Sequence, residues 1–411
     1  MKKLLSLLAV AALMPVAANA DVLKNVDING EIQTIASDVK NNADAISGAA
    51  WYNRGARARV LAGLSADLVE DVTANVLFQY ADRWGDDGME GKNMDSYWNS
   101  IYVANANVVL HNLFCAFELT VGRQFYGDED SAVMYIGPNH YNAEINTYVP
   151  SVDAAKLVYS DDVKTFTMIA GTMANPSYLG PDEKHDLYGA DLKLNITDNL
   201  KAQVYGYDMT THGTGADPAD DQHTGFYGAK LALDGAVRMS AEYARNFGGD
   251  RLIKEHSKAH GGKGQMIKVD AATDIKAVTV RGTFYYANEN FFALGNYTPG
   301  LLVGHVLGGQ IYDYSADGVA LFNLGFDMKP ADKWTVSLDG YSFQDHRMKH
   351  SSTWEADLTA KYAHNENVEL FAGVGYAKYG NAEQATTLGL PYKDAFGSEN
   401  YKGQLGMLIK F

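Results

Sequence analysis

The chain has 411 residues, 46% apolar and 20% charged, with 26 Tyr, 40 Gly, 9 Pro, 1 Cys and a net charge of −16. That is too apolar and aromatic for a disordered chain, and a single Cys excludes a disulfide framework and a thiolate zinc cluster. The acidic balance argues against nucleic acid, whose binding needs a basic face, and leaves either two or three soluble domains or one large β structure.

Residues 1–20 read as a cleaved Sec signal peptide. Lys2 and Lys3 form a basic start, Leu4 to Leu13 a short apolar core, and Ala18-Asn19-Ala20 an A-x-A site that places cleavage between Ala20 and Asp21. The apolar run of about fifteen residues is shorter than the ~20 of a membrane helix. The exported chain, 21–411, then has 391 residues and a net charge of −18. No later stretch approaches a membrane helix, so the chain is periplasmic, secreted or an outer-membrane β-barrel.

Beyond the leader the recurring signal is alternation with a period of two. In Thr73-Ala74-Asn75-Val76-Leu77-Phe78-Gln79-Tyr80 the even positions are apolar and the odd ones mostly polar. Eighteen strands are predicted in chain order: 26–36, 52–66, 72–84, 96–110, 114–125, 153–160, 163–173, 186–196, 200–209, 224–233, 236–246, 265–271, 275–288, 319–329, 333–344, 352–364, 368–379 and 400–411. Short Asp- and Asn-rich turns are expected at 67–71, 111–113, 161–162, 197–199, 234–235, 272–274, 330–332 and 365–367. The connections between these hairpins are long and polar or Gly-rich. All short turns therefore fall at one end and all long loops at the other.

That asymmetry, with an even strand number, belongs to outer-membrane barrels. The expected fold is an all-β, transmembrane, antiparallel up-and-down β-barrel of about eighteen strands, with sixteen as the fallback count. Its short turns are periplasmic and its long loops extracellular, in one domain over 21–411. The last strand supports this. Leu405, Met407, Ile409 and Phe411 share one face, with Lys402, Gln404 and Lys410 on the other. It resembles the terminal strand of Gram-negative outer-membrane proteins, which ends in an aromatic residue and is read by the barrel-assembly machinery. Trp51, Tyr52, Trp84, Trp98, Tyr188, Trp334, Trp354, Tyr362, Tyr376 and Tyr401 lie near predicted strand ends, where amphipathic rings favour the membrane interface.

Alternation also assigns the lumen. Arg57, Arg59, Lys156, Lys193, Arg238 and Arg281 fall on the inner face, opposite apolar partners such as Ala58, Val60, Leu157 and Val280. The strands over 319–379 add an acidic arc: Asp327, Asp339, Glu355, Asp357 and Glu369. A field between Arg57 and Arg59 and this arc would orient polar solutes and filter ions. The alternative is a mixed lumen whose charges simply pair. Loops 126–152 and 289–318, of 27 and 30 residues, are long enough to fold inward or to cap the rim.

The run Glu118-Leu119-Thr120-Val121-Gly122-Arg123-Gln124-Phe125-Tyr126-Gly127-Asp128, with the hairpin strand at 153–162, resembles the V-G-R-Q segment of alginate-export-like porins over roughly residues 96–175. The resemblance implies passive diffusion of an anionic sugar polymer past Arg and Lys, with Arg123 in the pore. Alternation alone puts Arg123 beside Val121 on the lipid face; a bulge at Gly122 would reconcile the two. The acidic arc fits an alginate path poorly, and no periplasmic turn is long enough for a lid.

Other constellations are weaker. His256 and His260 are spaced i, i+4 but lie in a Gly-rich loop, and Gly261-Gly262-Lys263-Gly264 lacks a phosphate-loop pattern. Asp86-Asp87 and Asp345-His346 at the outer rim resemble the acidic and His-Asp pairs of outer-membrane proteases. Cys115 reads as a small lipid-facing residue in the strand from 114. The leading expectation is a porin-type channel for small hydrophilic solutes or ions, with no cofactor, metal or nucleic acid. Its partners are outer-membrane lipid, lipopolysaccharide and the barrel-assembly machinery, and both a monomer and a homotrimer fit. A plugged structural or adhesive barrel is the alternative, and a rim-located hydrolase a third.

Overall fold

The computed structural model describes residues 24–40, 54–84, 101–129, 131–140, 149–174, 184–212, 222–248, 264–288, 291, 293–295, 297, 299–302, 318–345, 353–378 and 399–411. The leader with its Ala20–Asp21 junction, His256, His260, Gly261–Lys263, Asp86, Asp87, His346, Trp51, Tyr52 and Trp98 lie outside these residues.

The strands run in chain order as β1 (Lys24–Lys40), β2 (Arg54–Val69), β3 (Val72–Trp84), β4 (Ile101–Leu113), β5 (Phe117–Gln124), β6 (Tyr126–Gly127), β7 (Tyr135–Ile136), β8 (Ser151–Ser160), β9 (Lys164–Ala174), β10 (Lys184–Thr197), β11 (Leu200–His212), β12 (Gln222–Leu233), β13 (Val237–Gly248), β14 (Gln265–Ile275), β15 (Val278–Ala287), β16 (Val319–Ala331), β17 (Trp334–Asp345), β18 (Thr353–Ala363), β19 (Val368–Lys378) and β20 (Glu399–Lys410). β6 and β7 make a small ribbon inside a loop; the other eighteen form one antiparallel sheet in which each pairs with its sequence neighbours. β20 pairs with β1 from Glu31↔Lys410 to Lys40↔Tyr401, which closes the barrel. The seam ends in a reciprocal backbone pair: Gly30 N donates to Phe411 O at 2.8 Å, and Phe411 N donates to Gly30 O at 3.0 Å.

The alternation has a physical outcome. On β18, Trp354, Ala356 and Leu358 are exposed on the outside while Thr353, Glu355 and Asp357 are buried within. The outward aromatics fall into two belts. Trp354, Tyr376 and Tyr401 pack as tilted rings at the long-loop end, with centroids 5.1 and 5.0 Å apart, and Trp334 and Tyr362 do so at the short-turn end at 4.9 Å. Along β18 the belts are eight residues apart, about 26 Å at ~3.3 Å per residue, or about 20 Å of height at a tilt of ~40°. That spacing approaches the ~25 Å apolar band of an outer-membrane barrel.

Two turns sit beyond their expected places. The turn expected at 111–113 falls at 114–116, with Phe114 and Cys115 at φ of 52° and 65°. Asn112 stays in the strand because its amide donates to Asp71 Oδ1 of the neighbouring turn at 2.8 Å. Cys115 is therefore an exposed turn residue, not a lipid-facing strand residue. The turn expected at 272–274 falls at 276–277. Asp274 is held on the ladder by Arg238, at 2.7 and 3.1 Å, and by Thr279 at 2.6 Å.

Closure leaves no space at Gly30. A Cβ there would lie 2.2 Å from Leu61 O and 3.0 Å from the Phe411 ring, whereas one at Gly55 would meet nothing. Gly30→Ala is expected to destabilise the barrel by about 1–3 kcal/mol, and Gly55→Ala to be neutral. The readout is the temperature at which the folded species loses its compact mobility on a detergent gel. Equal behaviour of the two variants would show that the seam has room to spare.

Candidate pore and its constriction

The inner face carries Arg57, Arg59, Lys156, Lys193, Arg238, Arg281, Asp327, Asp339, Glu355 and Asp357, each sharing its strand parity with buried neighbours. Arg123 does not join them. Gly122 takes a positive φ of 120°, yet the β5–β8 register runs through Val121↔Ala155, Gly122↔Ala154 and Arg123↔Asp153 without a shift. Arg123 therefore follows Val121 to the outside. There its guanidinium donates to both Asp153 carboxylate oxygens at 2.8 Å. This corrects its assignment to the pore and removes the one pore residue that the alginate-export-like resemblance supplied.

Both long loops fold inward. The first leaves β5, and Tyr126 reaches the far wall, its hydroxyl 3.1 Å from that of Tyr207 on β11. It turns back through the β6–β7 ribbon, meets the β1–β2 wall at Asn139 and His140, and returns at Val149, whose N–H donates to Gln79 Oε1 at 2.8 Å. The second follows β15. Its Leu294 forms a parallel bridge with Met134 of the first loop: Tyr135 N donates to Leu294 O at 2.6 Å, and Leu294 N donates to Val133 O at 2.8 Å. Val133, Met134, Ile136, Phe291, Ala293, Leu294 and Leu302 pack with the inward aromatics Tyr207, Phe226, Tyr285 and Phe343. The lumen thus contains a small apolar core of its own, built from loops on one side and wall on the other.

The acidic arc is largely occupied. Arg281 binds Asp327 at 2.6 and 2.8 Å and Asp339 at 3.1 Å. Lys361 lies 3.8 Å from Glu369. Glu355 and Asp357 accept hydrogen bonds from the second loop's tip: Leu301 N donates to Glu355 Oε1 at 2.6 Å and to Asp357 Oδ2 at 2.9 Å, and Leu302 N donates to Glu355 Oε1 at 2.7 Å. Lys402 Nζ donates to Leu301 O at 2.6 Å. Gly300, at φ 83°, lets the tip come this close, since a Cβ would lie 2.8 Å from Glu355 Oε1. Arg59 pairs with Glu31 of β1 at 2.9 Å, so it serves the loop wall and not a field against the arc.

A cavity of about 300 Å³ lies between the first loop and the β8–β13 wall. Lys156, Lys193 and Lys230 line it together with Asp128, Asp191 and Glu242. Lys193 is tied to Asp128 of the loop at 3.0 Å. Asp191 is held by the Gln203 amide and Glu242 by the Tyr205 hydroxyl at 2.8 Å. Lys156 and Lys230 make no ion pair among the described residues. Alternation alone puts Lys230 and Glu31 on the inner face. His140 and Leu294 carry no sequence signal, because only the loop path gives them partners.

Removing the acceptor that holds the second loop tests the anchor. Glu355→Ala strands the buried Leu302 N–H, at about 1–3 kcal/mol, and leaves the Leu301 N–H to Asp357 alone, so amide exchange at 299–302 is expected to accelerate; Glu355→Gln keeps an acceptor and should change it less. Unaltered exchange in Glu355→Ala would remove Glu355 as the anchor.

No protein-family model and no curated protein sequence matches the chain. Solved structures do. Pseudomonas aeruginosa OccK11 (OpdR) is 13% identical with a TM-score of 0.59, covering 95% of this chain and 97% of that one. Acinetobacter baumannii OccAB4 is 10% identical with a TM-score of 0.62, covering 96% and 100%. The outer membrane protein OprD from Pseudomonas aeruginosa is 12% identical with a TM-score of 0.60, covering 96% of each chain. At such identities the likeness is one of fold. The shared fold is the closed antiparallel barrel, and the outward apolar band between two aromatic belts gives it the surface of an outer-membrane, multi-pass β-barrel.

Proposed function

We propose that the chain, after loss of residues 1–20, is a porin-type channel for passive diffusion of small hydrophilic solutes or ions. One observation supports this reading: a polar cavity of about 300 Å³ lies between the first inward loop and the β8–β13 wall, lined by three ammonium and three carboxylate groups. A mixed-charge wall of this kind favours broad polar passage over strict selectivity. The apolar core formed by the two loops is the observation that favours a plugged, structural barrel instead. The two readings differ in one measurement. Purified, refolded protein in a planar bilayer should show discrete conductance steps; their absence would leave the plugged barrel.

Charge preference follows from which side chains are already matched. Lys156→Gln combined with Lys230→Gln removes two ammonium groups without an ion-pair partner among the described residues. Under a salt gradient at low ionic strength, where the Debye length is ~30 Å at 0.01 M, the reversal potential should shift toward cations. Arg281→Gln should shift it less, because Asp327 and Asp339 already offset that charge locally. A larger shift from Arg281→Gln would place the filter on the acidic arc.

A further inference from the structure

The β1–β2 wall holds the returning end of the first loop through a chain of charged groups. Arg59 is fully buried at 0% exposure. Its guanidinium donates to Glu31 Oε1 and Gln33 Oε1, each at 2.9 Å, and to the Asn139 carbonyl at 2.9 Å. The next residue makes a second link. His140 Nε2 lies 2.7 Å from Glu31 Oε2, and its Nδ1 lies 2.8 Å from Glu129 Oε2. Its backbone N–H donates to Glu129 Oε1 at 2.9 Å. Glu31 is therefore shared between a permanent cation of the wall and a titratable one of the loop.

Both imidazole nitrogens face carboxylates, and only the imidazolium can donate to both. A neutral ring would turn a lone pair toward one of the two carboxylates. Burial opposes the charge on His140, but its hydrogen bonds to Glu129 and Glu31 outweigh burial and hold the imidazole above its ordinary range. For Glu129, too, burial acts against the charged form, yet the bonds from His140 prevail and hold its carboxyl below the usual range. Two further groups face this cluster. The Tyr135 phenol is pushed up by burial and stays neutral, and the Lys361 ammonium of β18 acts on Glu129.

We propose that His140 is a positioning residue of the constriction: its imidazolium clasps the loop over 126–140 to the Glu31–Arg59 wall, and loss of that proton loosens the loop. The opposite side of the same loop, at Tyr126, Ser131, Val133 and Met134, forms one wall of the passage. A loosened loop therefore makes the passage wider and noisier. The effect on current rests on the channel reading; the clasp does not. A group whose pKa is raised on folding stabilises the fold fully below its unfolded value, about 6.5 for His, and loses that contribution as pH rises through the raised value.

Hydrogen exchange read by mass spectrometry on the full refolded chain in detergent, corrected for the intrinsic pH dependence of exchange, tests the clasp directly. Between about pH 6 and about pH 9, protection of the 126–140 segment is expected to fall about tenfold, the equivalent of ~1.4 kcal/mol. In His140→Gln it should start lower and stay flat with pH. Glu129→Gln should move the fall to lower pH, since one of the two carboxylates that favour the imidazolium is gone; it also keeps the test open if Glu31→Gln, which leaves buried Arg59 short of a partner, does not fold. Wild-type protection that ignores pH, or an identical profile in His140→Gln, overturns the clasp. In bilayers the open-channel noise of the wild type should follow the same titration. Noise that ignores pH while exchange titrates overturns the link to the passage. A barrel that carries no current overturns the channel reading, and the exchange profile still decides the clasp.

Discussion

Every other feature of this barrel depends on hydrogen-bond closure between its first and last strands. In hydrocarbon no water satisfies a bare N–H or C=O, and each one left open costs several kcal/mol. The ten-residue ladder from Glu31↔Lys410 to Lys40↔Tyr401 removes the only two edges that the sheet would have. Closure also fixes parity. Once the sheet curls, every second residue is committed to lipid and the rest to the interior, and a one-residue slip would turn Trp354, Ala356 and Leu358 inward and Glu355 and Asp357 into the membrane. The wall is thus a closed sheet of fixed register, and the two inward loops build on its inner face.

This divides what the sequence discloses from what it conceals. The period of two is a local property, so all eighteen strands and the inner placement of Arg57, Lys156 and Glu355 were legible. The turns at 114–116 and 276–277 were displaced by side-chain bonds from neighbouring turns and strands, Asn112 to Asp71 and Arg238 to Asp274, which a local reading does not weigh. Arg123 shows the opposite hazard. Alternation placed it outside, a family resemblance placed it inside, and the unbroken β5–β8 register follows the alternation. The loop contents were not legible at all. Met134 and Leu294 are 160 residues apart, and no periodicity announces that one will bridge the other.

The lumen also changes what its charges can do. A carboxylate facing water is a field source, while one that receives two or three short hydrogen bonds is an anchor. Glu355 is the anchor for Leu301 and Leu302, with Asp357 sharing the Leu301 N–H, Asp327 and Asp339 are matched by Arg281, and Arg59 is consumed by Glu31 and the loop backbone. A lumen read as a basic patch against an acidic arc becomes a wall of internal fastenings. The charged groups that line the cavity lie elsewhere, on β8 to β13 and at Asp128 of the first loop. The net acidity of the chain therefore says little about which ions pass.

The two anchors and the passage are not scattered around the ring. β18 and β1 are three strand spacings apart through β19 and β20, about 14 Å at ~4.8 Å per spacing. β10, which carries Lys193 and Asp191, is seven spacings from β1 in the other direction, near the opposite side. The second loop is tied to β18 and the returning end of the first to β1 and β2, while the start of the first loop crosses to β10 and β11 at Asp128 and Tyr126, beside the cavity. The Met134–Leu294 bridge joins the two loops, so the fastenings at Glu31 and Glu355 hold one connected body. Lys156 and Lys230 line the cavity, whereas Glu31, His140 and Glu355 hold the loops that bound the lumen.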